Sequence, residues 1–392
     1  MKRCLILWLM SLPLWLPAAA QTTSPAKPRA RQLGVPFEGT PGAHNAITDV
    51  PGVLVGYKTL VKGKGQLKTG TGPVRTGVTV ILPKGRTNMP VPAACFTLNG
   101  DGEMTGQPVI EDYGTTSGPI GITNTNSVGV VRDAIGEWSI RQFSQGAGGD
   151  FSFGLPVVAE TFDGLLNDIN GLHVTEQHVW EALADAHSGP VAEGNVGGGT
   201  GMAMFLFKGG SGTASRVVRV DTARYTVGVF AQGNFGGRKD LVVAGVPVGQ
   251  EIKDLMPVMH SKEKDGSIIV VVATNAPLLP SQLKQLAKRV TIGLARTGGL
   301  GRNSSGDIFL AFSTQGPQAN DKSTLETWRS VPKERLDVLY QATAQATEEA
   351  IINALVAADT MEGINGNTIY GLPADRLQAV LGKYNRLVDT RK

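Results

Sequence analysis

The chain has 392 residues, 41% of them hydrophobic, 18% charged and 6% aromatic, which supplies a large core and excludes intrinsic disorder. Glycine is in excess at 51 residues, 13% of the 392, against an average of about 7%, yet there is no Gly-X-Y period and proline stands at 22, so collagen-like and low-complexity readings fail. The formal charge of +4 gives no support for nucleic acid as a partner.

Residues 1–20 read as a secretory signal: Lys2-Arg3, an apolar run from Cys4 to Leu16, then Ala18-Ala19-Ala20. The run is too short to span a bilayer, so no membrane contact is expected once it is removed, and no cysteine at the cleavage point marks a lipoprotein. Loss of Lys2 and Arg3 leaves 35 basic and 33 acidic residues, a balance of +2, in an exported, periplasmic protein. Cys95 is then the single cysteine. No internal disulfide can form, and the apolar setting Ala93-Ala94-Cys95-Phe96 reads as core, so stability falls to the core and to oligomerisation.

After a leader rich in Pro, Lys and Arg (Thr22 to Arg31), short apolar runs alternate with glycine-containing turns. Val53-Leu54-Val55, Val78 to Leu82, Val128 to Val131, Ala203 to Phe207, Arg216 to Val220, Tyr225 to Gln232 and Leu241 to Ala244 read as strands. A charged, exposed connection, Gly249 to Gly266, leads into Ser267-Ile268-Ile269-Val270-Val271-Val272-Ala273, a continuous apolar run of the kind central strands carry. Helices are predicted from about Thr175 to His187 and from Ser281, as cap, to Thr297. Two more are predicted from Pro332 to about Ala358 and from Ala374 to Tyr384. Sheets flanked by amphipathic helices define a layered α/β or α+β body. Length alone, at roughly 150 residues per domain, allows two or three units.

Three stretches carry groups with chemistry. Ser267, preceded by Gly266, sits where a charged loop meets a buried strand. It is either the plain polar end of a loop or, if the Gly266–Ser267 bond is cut, an N-terminal nucleophile whose α-amine, with an ordinary pKa of about 7.7 to 8, serves as base. Arg302-Asn303-Ser304-Ser305-Gly306-Asp307 heads the strand Ile308 to Phe312. It reads as a turn bonding its own backbone, or as two serines and a carboxylate that orient an amine. Asn234, in Gln232-Gly233-Asn234-Phe235-Gly236-Gly237, is a turn residue or a donor to an oxyanion. Gly194 to Gly201 lacks the Gly-Lys-Ser/Thr ending of a phosphate loop, the five histidines show no metal-ligand spacing, and no Gly-x-Ser-x-Gly elbow is present. Neither a metal nor any other cofactor is expected.

Taken together, ordered blocks across nearly the whole chain resemble the family of β-aminopeptidases and L-aminopeptidase/D-amino-acid esterase-amidases. The blocks are Asn45 to Val53, Asn99 to Glu103, Ala159 to Gly164, Gly194 to Met202, Gly266 to Pro280, Asn303 to Asp307 and Met361 to Gly363. The resemblance implies a four-layer αββα sandwich like that of N-terminal-nucleophile hydrolases but with different connectivity. It also implies self-cleavage at Gly266–Ser267 into an α chain (21–266) and a β chain (267–392) of one domain, and assembly of these pairs as homotetramers. By the same resemblance Ser267 matches the nucleophile, Ser305 the serine touching it, Asp307 a carboxylate that is often glutamate, Asn234 the oxyanion amide and Glu160 the acid that holds the substrate amine. Phe162 stands where some members carry a tyrosine that donates to the oxyanion.

The function expected is an exported aminopeptidase that removes N-terminal residues, β-amino acids first, from peptides and amides bearing a free amine. The alternatives are α-amino-acid preference of the L-/D- type, an acyl transferase of the ornithine-acetyltransferase type, which usually carries threonine at the new terminus, and a periplasmic binding protein without catalysis.

Overall fold

Two β-sheets lie face to face at the centre of the chain, in a computed structural model that describes residues 27–144, 154–260, 266–317 and 325–389. The expected signal over residues 1–20, the first part of the leader and the charged residues 262–265 lie outside the described residues.

In chain order the elements are β1 (Leu54–Lys62), β2 (Val74–Leu82), β3 (Val91–Gly100), α1 (Gln107–Tyr113), β4 (Thr115–Thr116), β5 (Ile120–Asn124), α2 (Val128–Phe143) and β6 (Val157–Thr161). Then come α3 (Glu176–Asp185), β7 (Ala203–Met204), β8 (Phe207–Lys208), β9 (Ser211–Val220), β10 (Ala223–Asn234), α4 (Val248–Glu251) and β11 (Ser267–Thr274). The last are α5 (Pro280–Arg296), β12 (Gly306–Ser313), α6 (Asp337–Ala357), β13 (Met361–Glu362), β14 (Thr368–Ile369) and α7 (Ala374–Lys383). One sheet has the order β1-β2-β5-β6 and the other β4-β3-β12-β11-β10-β9.

The alternation of side chains along each strand builds the layers. On β11, Ile269, Val271 and Ala273 join Phe230, Leu310, Ile81 and Ile122 in the core between the sheets. Ile268, Val270 and Val272 point the other way, onto Leu283, Leu286 and Val290 of α5 and Leu339 and Ala346 of α6. On the far side, Val78 and Val80 of β2 pack with Val131 and Ile135 of α2 and Val179 and Leu183 of α3. The result is the four-layer αββα sandwich. With a neighbour on each side and a layer on each face, β11 is buried along its whole length, as its run of β-branched residues requires.

Several local expectations are corrected. Val128 to Val131 is the first turn of α2 rather than a strand, because Val128, Val131, Ala134 and Ile135 form a helical stripe facing the sheet. Leu241 to Ala244 is a buried loop in which Val242 N–H bonds Thr297 O and Val243 exchanges hydrogen bonds only with Val246. Ala203 to Phe207 is not one strand but, with Lys208, a two-residue hairpin, β7 and β8, whose turn residues Phe205 and Leu206 take φ of 52° and 59°. Bulky residues rarely adopt that conformation. Here the Arg238 guanidinium donates to both of their carbonyls and lies 3.3 Å from the Phe207 ring centroid. Ser281 is not the cap of α5, which starts at Pro280 with Gln282 Oε1 accepting the Leu279 N–H at 3.0 Å.

The N-terminal segment is fastened by charge. Glu349 of α6, with a side chain 1% exposed, meets the equally buried Arg216 of β9 at 2.7 Å and Arg31 at 2.8 Å, and accepts from Asn45 Nδ2 at 2.6 Å. Removing one member of a buried ion pair leaves the others charged in a dry site. Glu349→Ala is expected to lower the unfolding free energy by about 3–5 kcal/mol, read from the midpoint of a urea unfolding curve.

Candidate active site

The site begins as a matter of strand register. β11 lies antiparallel to β10 and parallel to β12, and the pairing places Ser267 opposite Asn234 on one side and Gly306 on the other. Three strand ends therefore meet at one level, with Ser305 and Asp307 on either side of Gly306. Ser267, Asn234, Ser305 and Asp307 are all buried.

Hydrogen bonds fix each group. Ser305 Oγ donates to Asp307 Oδ1 at 2.7 Å, and Asn99 Nδ2, arriving from β3, donates to Asp307 Oδ2 at 3.0 Å and to Arg302 O at 3.1 Å. Burial pushes the Asp307 carboxyl above the usual carboxylate range, opposed by the donors Ser305, Asn99 and the Ile268 N–H. The carboxylate is one methylene shorter than glutamate, yet both its oxygens are engaged. Asn234 Oδ1 accepts the Ala203 N–H at 2.9 Å. That bond fixes the orientation of the amide and leaves the Asn234 Nδ2 hydrogens as the donors. Asn234, Gly266, Ser305, Asp307, Arg302 and Leu206 line a cavity of about 140 Å³.

Gly266 admits no other residue. A Cβ built there falls 1.4 Å from Asn234 O and 2.6 Å from the Phe235 Cα, so the backbone ahead of Ser267 passes directly over the end of β10.

Glu160 and Phe162 stand apart from that cavity. Glu160, at the end of β6 in the other sheet, accepts the Glu103 N–H at 3.2 Å on Oε1 and the Thr125 hydroxyl on Oε2. Burial raises its carboxyl above the ordinary range, these two bonds oppose the rise, and the charges of Glu103 and Asp101 add to it. Gly102 joins the two groups across the sheets: a Cβ on it would lie 2.9 Å from the Gly306 Cα and 3.2 Å from Glu160 Oε1. Phe162 borders a second cavity, of about 460 Å³, with Thr125, Gly164 and Asn167. Cys95 is core, its thiol pushed up to about 12 chiefly by burial. The glycine-rich Gly194 to Gly201 stretch packs against β1 and β2, its N–H groups donating to the Thr59 and Thr79 hydroxyls.

Sequence reasoning missed Asn99, Thr125 and Lys208. Asn99 opens a block already singled out, whereas Lys208, between Phe207 and Gly209-Gly210, carries no mark of its burial. Thr125 offered none.

The fold and the strand-end cluster define a hydrolase with an N-terminal-nucleophile-type sandwich. The chain belongs to peptidase family S58, whose model matches residues 45–369, and is an aminopeptidase. The beta-peptidyl aminopeptidase BapA of Sphingosinicella microcystinivorans is 53% identical to it over 384 residues, 94% of this chain and 95% of that protein. The L-aminopeptidase D-Ala-esterase/amidase of Ochrobactrum anthropi, described as a prototype for the serine aminopeptidases and a new variant among the Ntn hydrolase folds, superposes with a TM-score of 0.86. Its identity is 47%, and the match covers 92% of this chain and 100% of that one. A Burkholderia sp. beta-aminopeptidase gives a TM-score of 0.81 at 47% identity, over 91% of this chain and 98% of that one.

Asn99→Ala removes a donor that favours the ionised Asp307, so the carboxyl is expected to rise further, by about one pH unit for a bond worth roughly 1.5 kcal/mol. The acid limb of the peptidase pH profile should move to higher pH, with roughly tenfold less activity on that limb; a superimposable profile would separate Asn99 from the chemistry.

Proposed function

We propose that the protein is an exported, periplasmic aminopeptidase that cuts itself between Gly266 and Ser267 and then uses Ser267 to release N-terminal β-amino acids from peptides and amides. The observation that carries this reading is the register at the strand ends, where Ser267 meets Asn234 on one side and the Ser305/Asp307 pair on the other. In self-cleavage Ser267 Oγ adds to the Gly266 carbonyl, the C–N bond breaks as an ester forms, and water hydrolyses the ester to a Gly266 carboxylate and a free Ser267. Asn234 and Gly266 line one cavity, which supports this, since one side-chain amide can then serve both carbonyls. The products are chains 21–266 and 267–392, which stay in one sandwich and assemble as tetramers; the resemblance of the whole chain to its family supports that assembly.

In turnover, Ser267 Oγ attacks the substrate carbonyl while its own α-amine takes the proton. Asn234 Nδ2 donates to the oxyanion that develops. The amine, held in place through Ser305 and Asp307, returns the proton to the leaving nitrogen, and water hydrolyses the acyl-enzyme. Glu160, reached across Gly102, holds the substrate ammonium, which explains a requirement for a free N-terminus. Phe162 has no hydroxyl, so the oxyanion depends on Asn234 and backbone N–H groups.

The 53% identity to a beta-peptidyl aminopeptidase favours β-residues, while the likeness to an L-aminopeptidase D-Ala-esterase/amidase favours α-residues. A panel of β-homoalanyl, D-alanyl and L-alanyl p-nitroanilides decides between them. The β-substrate is expected to give the highest kcat/KM, and Ser267→Ala to abolish release from all three. Retained release by Ser267→Ala would remove the serine from its role.

A further inference from the structure

Lys208 is buried completely, with its Nζ donating to Met202 O and to Gly209 O, each at 2.7 Å. Burying a cation is costly, and a methionine or leucine would fill the same hairpin. Among the described residues the amine makes no ion pair; burial pulls it down to about 7, and Asp163, itself buried and pushed up to about 7 by burial, acts the other way and favours the protonated amine. Its bonds are spent on backbone carbonyls.

One of those carbonyls leads to the site. Met202 O and the Ala203 N–H belong to the same planar peptide group, and that N–H donates to Asn234 Oδ1 at 2.9 Å. Lys208 Nζ–H to Met202 C=O, then Ala203 N–H to Asn234 Oδ1, then the Asn234 Nδ2 hydrogens, form one unbroken series of donors and acceptors with the Lys208 amine at its far end. When the amine is protonated, each link draws electron density toward it and strengthens the next bond by a modest fraction, about 10–30% per bond. The frame is stiff: Gly209 N–H also bonds Met202 O at 3.2 Å, and Arg238 clamps the turn between β7 and β8.

We propose that Lys208 is a positioning residue for catalysis, fixing the orientation of the Asn234 amide and polarising it, through the Met202–Ala203 peptide, into a stronger donor to the oxyanion. This rests on the reading of Asn234 as the oxyanion donor. Because the effect belongs to the transition state, it acts on kcat and leaves substrate binding almost unchanged.

The test is a kinetic double-mutant cycle on the full chain, with wild type, Lys208→Met, Asn234→Ala and the double variant. The readouts are conversion to two chains and kcat and KM on a β-homoalanyl p-nitroanilide, with thermal unfolding as the check of folding. Asn234→Ala is expected to lower kcat about 100-fold or more, and Lys208→Met roughly three- to tenfold with KM within about threefold. Both variants should slow self-cleavage in proportion. In the double variant the lysine change should cost nothing further, since its route to the oxyanion is gone. Lys208→Arg, which keeps the charge, should recover part of kcat; where Lys208→Met is insoluble, Lys208→Gln replaces it in the cycle. An unchanged kcat in Lys208→Met, a lysine effect undiminished on top of Asn234→Ala, or no recovery by Lys208→Arg overturns the inference while Asn234 keeps its role. An unchanged kcat in Asn234→Ala overturns the oxyanion assignment itself and the inference with it.

Discussion

The register of β11 between β10 and β12 is the constraint on which the rest depends. A strand buried on both faces and bonded on both edges cannot slip by one residue without moving its whole apolar set from one core to the other. The alternation of Ile268, Val270 and Val272 against Ile269, Val271 and Ala273 therefore fixes where Ser267 stands, opposite Asn234 and Gly306. A reactive group set at the head of such a strand is held by the entire sandwich, and the polar groups around it inherit the same precision. The antiparallel pairing of β3 with β12 brings Asn99 to Asp307, and the hairpin of β7 and β8 brings the Ala203 N–H to Asn234.

The site also shows what close packing demands of composition. The chain passes from Gly266 into Ser267 through a space that admits no side chain, and Gly102 fills the narrow gap between Gly306 and Glu160. Part of the glycine excess is thus the consequence of joining two sheets and a backbone crossing at one point. The two carboxyls there, Asp307 and Glu160, are both raised by burial and both held by donated hydrogen bonds. Among the described residues neither carboxyl makes an ion pair, and both are held by uncharged donors.

Much of this was legible in the sequence, for reasons tied to particular residues. The run from Ser267 to Ala273 reads as a central strand because seven apolar or small residues leave no polar face. Ser267, Asn234, Ser305 and Asp307 could be placed at strand ends because each follows or precedes such a run. Glu160, by contrast, was reached only through the resemblance of its block. The helix that starts at Val128 was read as a strand because four residues cannot distinguish a helical stripe from an extended run until Ala134 and Ile135 are counted. The partners of Asn99 and Thr125 come from elements distant in the chain, Asp307 and Glu160, which no local pattern encodes, whereas Lys208 bonds its own hairpin. The strained turn at Phe205 and Leu206 is held by Arg238, more than thirty residues away in sequence, and is invisible to turn chemistry alone.

In the proposed reaction one residue, Ser267, is both the product of cleavage and the point of acylation. Intact-mass spectrometry under denaturing conditions, after brief exposure of the purified protein to a slowly deacylating β-aminoacyl ester, tests both at once. Two chains are expected, the smaller beginning at Ser267 and carrying the acyl mass on that residue. A single active, uncut chain, or an acyl group on any other residue, would contradict the proposed reaction.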